Sequence, residues 1–294
     1  MTQPQFELSP LVLGLWRLKH WGYTPSQILR FVEQSVELGV TSIDHAMVYR
    51  SEAPFGEALK DAPSLRDQIQ IITKCGIRPM GFGELGAKTV NHYDFSRAYT
   101  EQSVDASLRD LQTDRIDLLL LHRPDFLMDV EEVAETFSAL KQAGKVLHFG
   151  VSNFTTSQVA LLQSALPDAL VTNQVECSPL HMAPLSDGTF DQAQMMGMRP
   201  MLWSCLAGGK LMAPETEREL AVVGALKQVA EELSLSAIEP VVYAWLRALP
   251  CKPYPILGTS KIERVQEACK ALEVKLTREQ WYRIWEASNG ASVP

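Results

Sequence analysis

The 294-residue chain has no C-x-x-C pair, and its five cysteines, at 75, 177, 205, 251 and 269, are odd in number and lie mostly within apolar runs. That spacing excludes a zinc ribbon and a disulfide framework and fits reduced thiols. No basic excess is present either. A net charge of -8 and a pI near 5.3 argue against nucleic acid or an anionic membrane as a general partner. No apolar run approaches the length of a bilayer span, and the N-terminus lacks a basic stretch followed by an apolar one. A cytoplasmic protein is expected, in which the acceptor pattern Asn153-Phe154-Thr155 stays unglycosylated. Low-complexity segments are missing too. With 46% hydrophobic residues and only 17 glycines and 17 prolines, the composition is globular.

What is present is alternation. Ile116 to His122 reads Ile-Asp-Leu-Leu-Leu-Leu-His, too apolar for a half-exposed strand and cut off by Arg123-Pro124. It predicts a buried parallel strand whose last residue meets a working surface. Seven further strands are expected: Leu11 to Leu15, Thr41 to Asp44, Gln70 to Lys74, Val146 to Val151, Ala169 to Val175, Pro200 to Leu206 and Tyr254 to Leu257. Helical patterns separate them, beginning with one that Thr24 caps and Pro25 opens. The pattern from Glu219 to Leu249 is interrupted near Ser234 to Ser236, and two more helices close the chain, near Ile262 to Leu272 and Arg278 to Ala287. No linker divides the series. Eight strand and helix units close most simply into a single (β/α)8 TIM barrel over residues 1–294, with an open doubly wound sheet as the other arrangement.

A barrel of this kind works at the carboxyl ends of its strands. Those ends offer Asp44 with Tyr49 five residues on, Lys74, His122, Ser152-Asn153, Gln174, Trp203-Ser204 and Gly258-Thr259-Ser260. Asp, Tyr, Lys and His together suggest a phenol used as a proton donor. A free tyrosine has a pKa of about 10, and an adjacent ammonium lowers it. A carboxylate beside that lysine keeps it charged. Taken singly, each residue has a plainer explanation: Asp44 and Lys74 a structural ion pair, Trp203 core filling, Arg264 a solvated helix residue.

Asp44 with Tyr49, Thr73-Lys74, Asp117-Leu-Leu-Leu-Leu-His122, Gly150-Val-Ser-Asn153, Asn173-Gln174-Val175-Glu176 and Gly258-Thr259-Ser260 with Arg264 follow one another along nearly the whole chain. In this order the sequence resembles the aldo-keto reductases. The resemblance implies reduction of aldehyde or ketone carbonyls to alcohols with NADP(H). Tyr49 would be the general acid, Lys74 and Asp44 would activate it, and His122 would orient the substrate. It implies further that Ser152, Asn153 and Gln174 bind the nicotinamide carboxamide and that Trp203 stacks on the ring. Ser204, Leu206, Gly208 and Lys210, with Gly258, Thr259, Ser260 and Arg264, would carry the rest of the cofactor, Arg264 taking the 2′-phosphate because a guanidinium matches phosphate geometry. No metal is implied.

The chain departs from the family pattern in three places. Where the family often has Asp-Thr-Ala it has Asp44-His45-Ala46, and His45 has no assigned role. Gly258 replaces a lysine of one branch, and Ala268 an asparagine near the adenine.

Gly81-Phe82-Gly83-Glu84-Leu85-Gly86 satisfies the dinucleotide fingerprint, but it opens no clear helix. It belongs instead to a long loop, Gly76 to Tyr93, expected to wall the substrate pocket with Trp21, Met80, Phe82 and Tyr93 as apolar contacts. Cys75 beside Lys74 is read as an inert buried thiol rather than a reactive one. Other readings stay open: an NADPH-binding regulatory subunit with little turnover, a lyase using Lys74 as a Schiff base, or a metal-dependent hydrolase. The expected partner is a small carbonyl substrate, with neither nucleic acid nor membrane, in a monomer or weak homo-oligomer.

Overall fold

The structure is a computed structural model that describes residues 6–294. Ten strands form: β1 Val12–Gly14, β2 Ser42–Asp44, β3 Gln70–Cys75, β4 Ile77–Arg78, β5 His92–Tyr93, β6 Ile116–Leu121, β7 Val146–Ser152, β8 Asn173–Glu176, β9 Met201–Trp203 and β10 Tyr254–Leu257. Eight of them close a barrel in the order β1-β10-β9-β8-β7-β6-β3-β2, every pair parallel. This is the TIM barrel that the alternation predicts, and a closed sheet excludes the open doubly wound arrangement.

The helices are α1 Pro25–Glu37, α2 Glu52–Leu59, α3 Arg97–Leu111, α4 Val130–Gln142, α5 Thr156–Ala165, α6 Thr189–Met196, α7 Glu217–Glu232, α8 Glu239–Arg247, α9 Ile262–Cys269 and α10 Arg278–Asn289. Four of them begin with the same device. Thr24, Thr155, Thr216 and Thr277 each accept from the backbone N–H three residues on, while Gln27, Gln158, Glu219 and Gln280 reach back to the cap. Each box satisfies two backbone donors that would otherwise lack partners, which fixes where the chain turns from loop to helix.

Side-chain parity sets the layers. Leu118 and Leu120 point into the barrel with Val12, Ile72, Met201, Tyr254 and Ile256, whereas Leu119 and Leu121 join the core between strands and helices. Two residues beyond Ile72, Leu120 and Met201 come Lys74, His122 and Trp203, on the same inward parity. Polar and aromatic groups therefore top an apolar plug. At the outer layer, Trp245 and Trp281 stack with centroids 5.0 Å apart, and each indole donates to the other's backbone carbonyl at 3.0 Å.

Two expectations need correction and one gains detail. Gly76 to Tyr93 is a loop closed at its base by two short strands: β4 and β5 pair antiparallel, and a 3-10 turn spans Gly83–Leu85 between them. Arg78 pairs with Asp94 at 2.9 Å, and the Tyr99 hydroxyl donates towards the carbonyls of Ile77 and Leu85. Strands of two residues show no periodicity, so the sequence could not announce them. The sixth barrel strand is Asn173–Glu176 instead of Ala169 to Val175: after the bend at Pro167-Asp168 residues 169–172 carry no regular structure, although the Val171 N–H already donates to the Phe149 carbonyl at 3.0 Å. The seventh stops at Trp203, since Ser204 takes a left-handed φ of 54°.

Candidate active site

Lys74 is fully buried on β3, and its ammonium has three acceptors: Asp44 Oδ1, Asp44 Oδ2 and the His45 carbonyl, each at 2.7 Å. Asp44 is held from a second side, where Gln174 Nε2 donates to Oδ1 at 2.9 Å. The carboxylate thus sits between a lysine on β3 and an amide on β8, on the far side of the barrel. A buried charge needs such pairing, because desolvation alone would neutralise it.

Tyr49 lies on a 3-10 turn, Met47–Tyr49, that follows β2. The Lys74 ammonium is 5.0 Å from its ring centroid, and its hydroxyl is 3.3 Å from His122 Nε2. The two rings meet edge to face at 5.4 Å. All four residues expected to act together are therefore assembled at one point.

Their electrostatics differ from the sequence expectation in one respect. Burial pushes the Tyr49 phenol above its ordinary value; Lys74 pulls it down and Asp44 pushes it up, and the net direction is upward. The resting hydroxyl is thus fully protonated at neutral pH, as a proton donor must be. The ammonium can then act on the phenolate as charge develops, when the interaction counts most for rate. Burial first, then Lys74 and Arg123, hold His122 well below 6.5, so its ring is neutral. A neutral ring with the proton on Nε2 donates to an oxygen without adding charge.

The other strand ends extend the site. Trp203 Nε1 donates to Asn153 Oδ1 at 3.2 Å, Asn153 Nδ2 to Ser152 Oγ at 2.8 Å, and Ser152 Oγ to the Gln174 carbonyl at 3.0 Å. Ser152 at the end of β7, Asn153 just after it, Gln174 on β8 and Trp203 on β9 form one connected series. A cleft of about 360 Å³ opens beside it, lined in part by Arg123, Asn153, Glu176, His181 and Trp203.

Ser204, Leu206, Gly208 and Lys210 lie in the loop after β9, which is wound through left-handed φ values at Ser204, Ala207, Gly208 and Gly209. Gly258, Thr259 and Ser260 lie in the loop after β10, its neighbour in the sheet. That second loop is pinned by Arg17 Nη2 on the Gly258 carbonyl at 3.1 Å and by the Tyr23 hydroxyl on the Ser260 carbonyl at 2.6 Å. Arg264 follows on the first turn of α9, exposed. Lys210 is mostly exposed, 3.5 Å from Glu219.

The aromatic residues expected at the substrate pocket lie in different surroundings. Trp21, expected at the substrate pocket, packs edge-on against Tyr23 and Phe31, each at 5.7 Å. Phe82 lies under the Arg50 guanidinium. Met80 and Tyr93 are exposed. Arg123, absent from the expected site residues, stands next to His122. Its guanidinium lies 5.9 Å from the Trp203 ring, with no ion-pair partner among the described residues. Trp16, likewise outside the expected set, is 62% exposed with its ring 6.4 Å from that of Tyr49.

The Aldo/keto reductase family model matches residues 10–289, and the chain belongs to that family. It is 50% identical to the oxidoreductase YdhF of Escherichia coli (strain K12), with 98% of this chain and 96% of that protein covered. It is 40% identical to a 6-dehydroglucose reductase of Agrobacterium fabrum, covering 98% and 97%. Among solved structures, a glycerol dehydrogenase from Gluconobacter oxydans superimposes with a TM-score of 0.82 at 24% identity, over 98% of this chain and 92% of that one. This last likeness speaks to the fold. No helix among the described residues is long and apolar enough to cross a membrane, and no group of three or more potential metal ligands occurs among them.

Proposed function

We propose that the protein, acting as one barrel domain, reduces an aldehyde or ketone carbonyl to an alcohol with NADPH. The observation that carries the reading is the joint approach of the Tyr49 hydroxyl to His122 and of its ring to a lysine whose charge Asp44 secures. The connected series Ser152, Asn153, Gln174 and Trp203 fits a nicotinamide: amide and hydroxyl groups for its carboxamide beside an aromatic face for its ring. When bound, the dinucleotide supplies a hydride to the carbonyl carbon.

The chain's own residues do the rest. His122 donates from Nε2 to the carbonyl oxygen and polarises it. Tyr49 gives that oxygen its proton as negative charge builds there, and Lys74 stabilises the phenolate left behind. Asp44 keeps Lys74 charged and in place, and Gln174 keeps Asp44 in place. Arg264 on the first turn of α9 takes the 2′-phosphate, the arrangement expected where loops after the last two barrel strands meet a helix N-terminus. Arg123, Glu176 and His181 add polar and charged groups to an adjoining cleft whose wall also includes Phe154, Val175, Pro184 and Trp203. Those groups, with the 6-dehydroglucose reductase among the relatives, support a hydroxylated carbonyl compound over a purely apolar one.

The test follows NADPH oxidation by absorbance with aldehydes, ketones, 1,2-dicarbonyls and sugar-derived carbonyls, then repeats it with NADH, Tyr49→Phe and Arg264→Ala. Turnover that collapses in Tyr49→Phe supports the proton donor. A tenfold or larger loss of NADPH affinity in Arg264→Ala, with NADH little changed, supports the phosphate contact, since a charged hydrogen bond is worth about 1.5–3 kcal/mol. Tight NADPH binding without turnover on any carbonyl would refute the reductase reading in favour of a regulatory subunit.

A further inference from the structure

His45 follows the inward-facing Asp44 and packs outward, fully buried, with its ring centroid 4.6 Å from that of Phe55 on α2. Its backbone is committed on both sides: the N–H donates to the Ile72 carbonyl at 2.8 Å, and the carbonyl accepts from Lys74 at 2.7 Å. Its Nδ1 is 2.9 Å from Ser51 Oγ. The five residues between His45 and Ser51 contain the 3-10 turn and Tyr49. One side-chain bond therefore joins the two ends of the segment that carries the phenol.

Two costs are accepted for this bond. Ser51 stands at the N-cap of α2, where a serine side chain ordinarily accepts from a helix N–H, and here it makes no such bond. His45 Nε2 is buried without a hydrogen-bond partner among the described residues, and orphaned polar atoms of this kind are uncommon in folded proteins. Burial and the nearby Lys74 charge also hold the ring neutral, with its pKa lowered to about 3. The contact therefore does not change over the pH range in which an enzyme works.

We propose that His45 is a positioning residue: its imidazole, bonded to Ser51, closes residues 45–51 into a rigid loop that fixes the Tyr49 hydroxyl against His122 and Lys74. This rests on Tyr49 being the proton donor. A free segment could place the phenol in several rotamers, and small displacements of a reacting group are costly in rate. The bond acts on geometry alone, so it should influence kcat and leave the binding of cofactor and substrate nearly unchanged.

The test uses four variants of the full chain. Ser51→Ala removes one partner with little change of volume. His45→Gln places its amide near the position of Nε2, away from Ser51, whereas His45→Asn places its amide near Nδ1 and can rebuild the bond. The fourth is the double variant Ser51→Ala with His45→Gln. Expected are kcat values about tenfold lower in Ser51→Ala and His45→Gln with KM within twofold, most of the loss recovered in His45→Asn, and no further loss in the double variant. Fluorine NMR of 3-fluorotyrosine-labelled protein, with the Tyr49 line assigned through Tyr49→Phe, gives a readout independent of turnover. One narrow line in the natural protein should broaden or split in Ser51→Ala. Unchanged kcat and an unchanged line in folded Ser51→Ala would overturn the proposal, and so would a His45→Asn protein as impaired as His45→Gln. A normal protein that turns over no carbonyl, yet whose Tyr49 line still broadens in Ser51→Ala, would refute the reductase reading and leave the staple standing.

Discussion

Glu52 is only 3% exposed; Thr73 Oγ1 donates to it at 2.5 Å, and burial raises its pKa from 4.5 to about 7. Between those two values the folded protein keeps a proton that the unfolded chain releases. Stability must therefore fall as pH rises from about 4.5 through 7. Ionising the buried carboxyl is harder than ionising an ordinary one by about 3 kcal/mol, at 1.36 kcal/mol per pH unit. Most of that penalty, about 2–3 kcal/mol, develops between pH 5 and pH 8. Glu52→Gln keeps an acceptor for Thr73 and cannot ionise. Urea unfolding of both proteins at pH 5 and pH 8, followed by tryptophan fluorescence, isolates the effect, because every other titrating group is shared. The substitution should gain about 2–3 kcal/mol in relative stability at the higher pH. Parallel pH dependences would refute the assignment of a neutral carboxyl at this position.

Lys74→Met should cost about 3–5 kcal/mol, because the buried Asp44 loses its counter-charge. Turnover should fall on the order of 100-fold as the phenolate loses its cation, measured by denaturation and by NADPH oxidation respectively. Gly56→Ala should destabilise by at least about 2 kcal/mol, read from the urea midpoint, since a Cβ there overlaps the backbone of Asp110 and Leu111 where α2 crosses the end of α3. Native protein should expose at most one rapidly reacting thiol to an aromatic disulfide reagent. Cys75, Cys177, Cys205 and Cys251 are buried with raised pKa values, and Cys269 alone is half-buried.

The barrel was readable because its inward and outward residues alternate against helices with their own stop signals. Ile116 to His122 states the whole arrangement, with an apolar plug below and a working residue on top. The four residues proposed as catalytic were readable because each lies within a few residues of a strand end. Contacts that cross the barrel were not: the bond from Gln174 to Asp44 spans 130 positions. Nor was the direction of the Tyr49 shift, since a sequence shows the neighbouring ammonium but not the burial that outweighs it. Ser51 looks like an ordinary helix cap, and only its partner in space reveals that it is turned to His45.

The hairpin of β4 and β5 has a consequence for how such an enzyme can diversify. Its base is clamped by Arg78 to Asp94 and by the Tyr99 hydroxyl from α3, whereas Met80 and Val90 towards its tip are more than half exposed. None of the bonds that hold Lys74, Asp44 or His122 comes from residues 79–92. The segment meets the turn that carries Tyr49 by packing instead, through Phe82 and Leu85 against Met47 and Val48. Change confined to the exposed tip around Met80 and Val90 leaves that packing alone, whereas change at Phe82 or Leu85 reaches the residues next to the phenol.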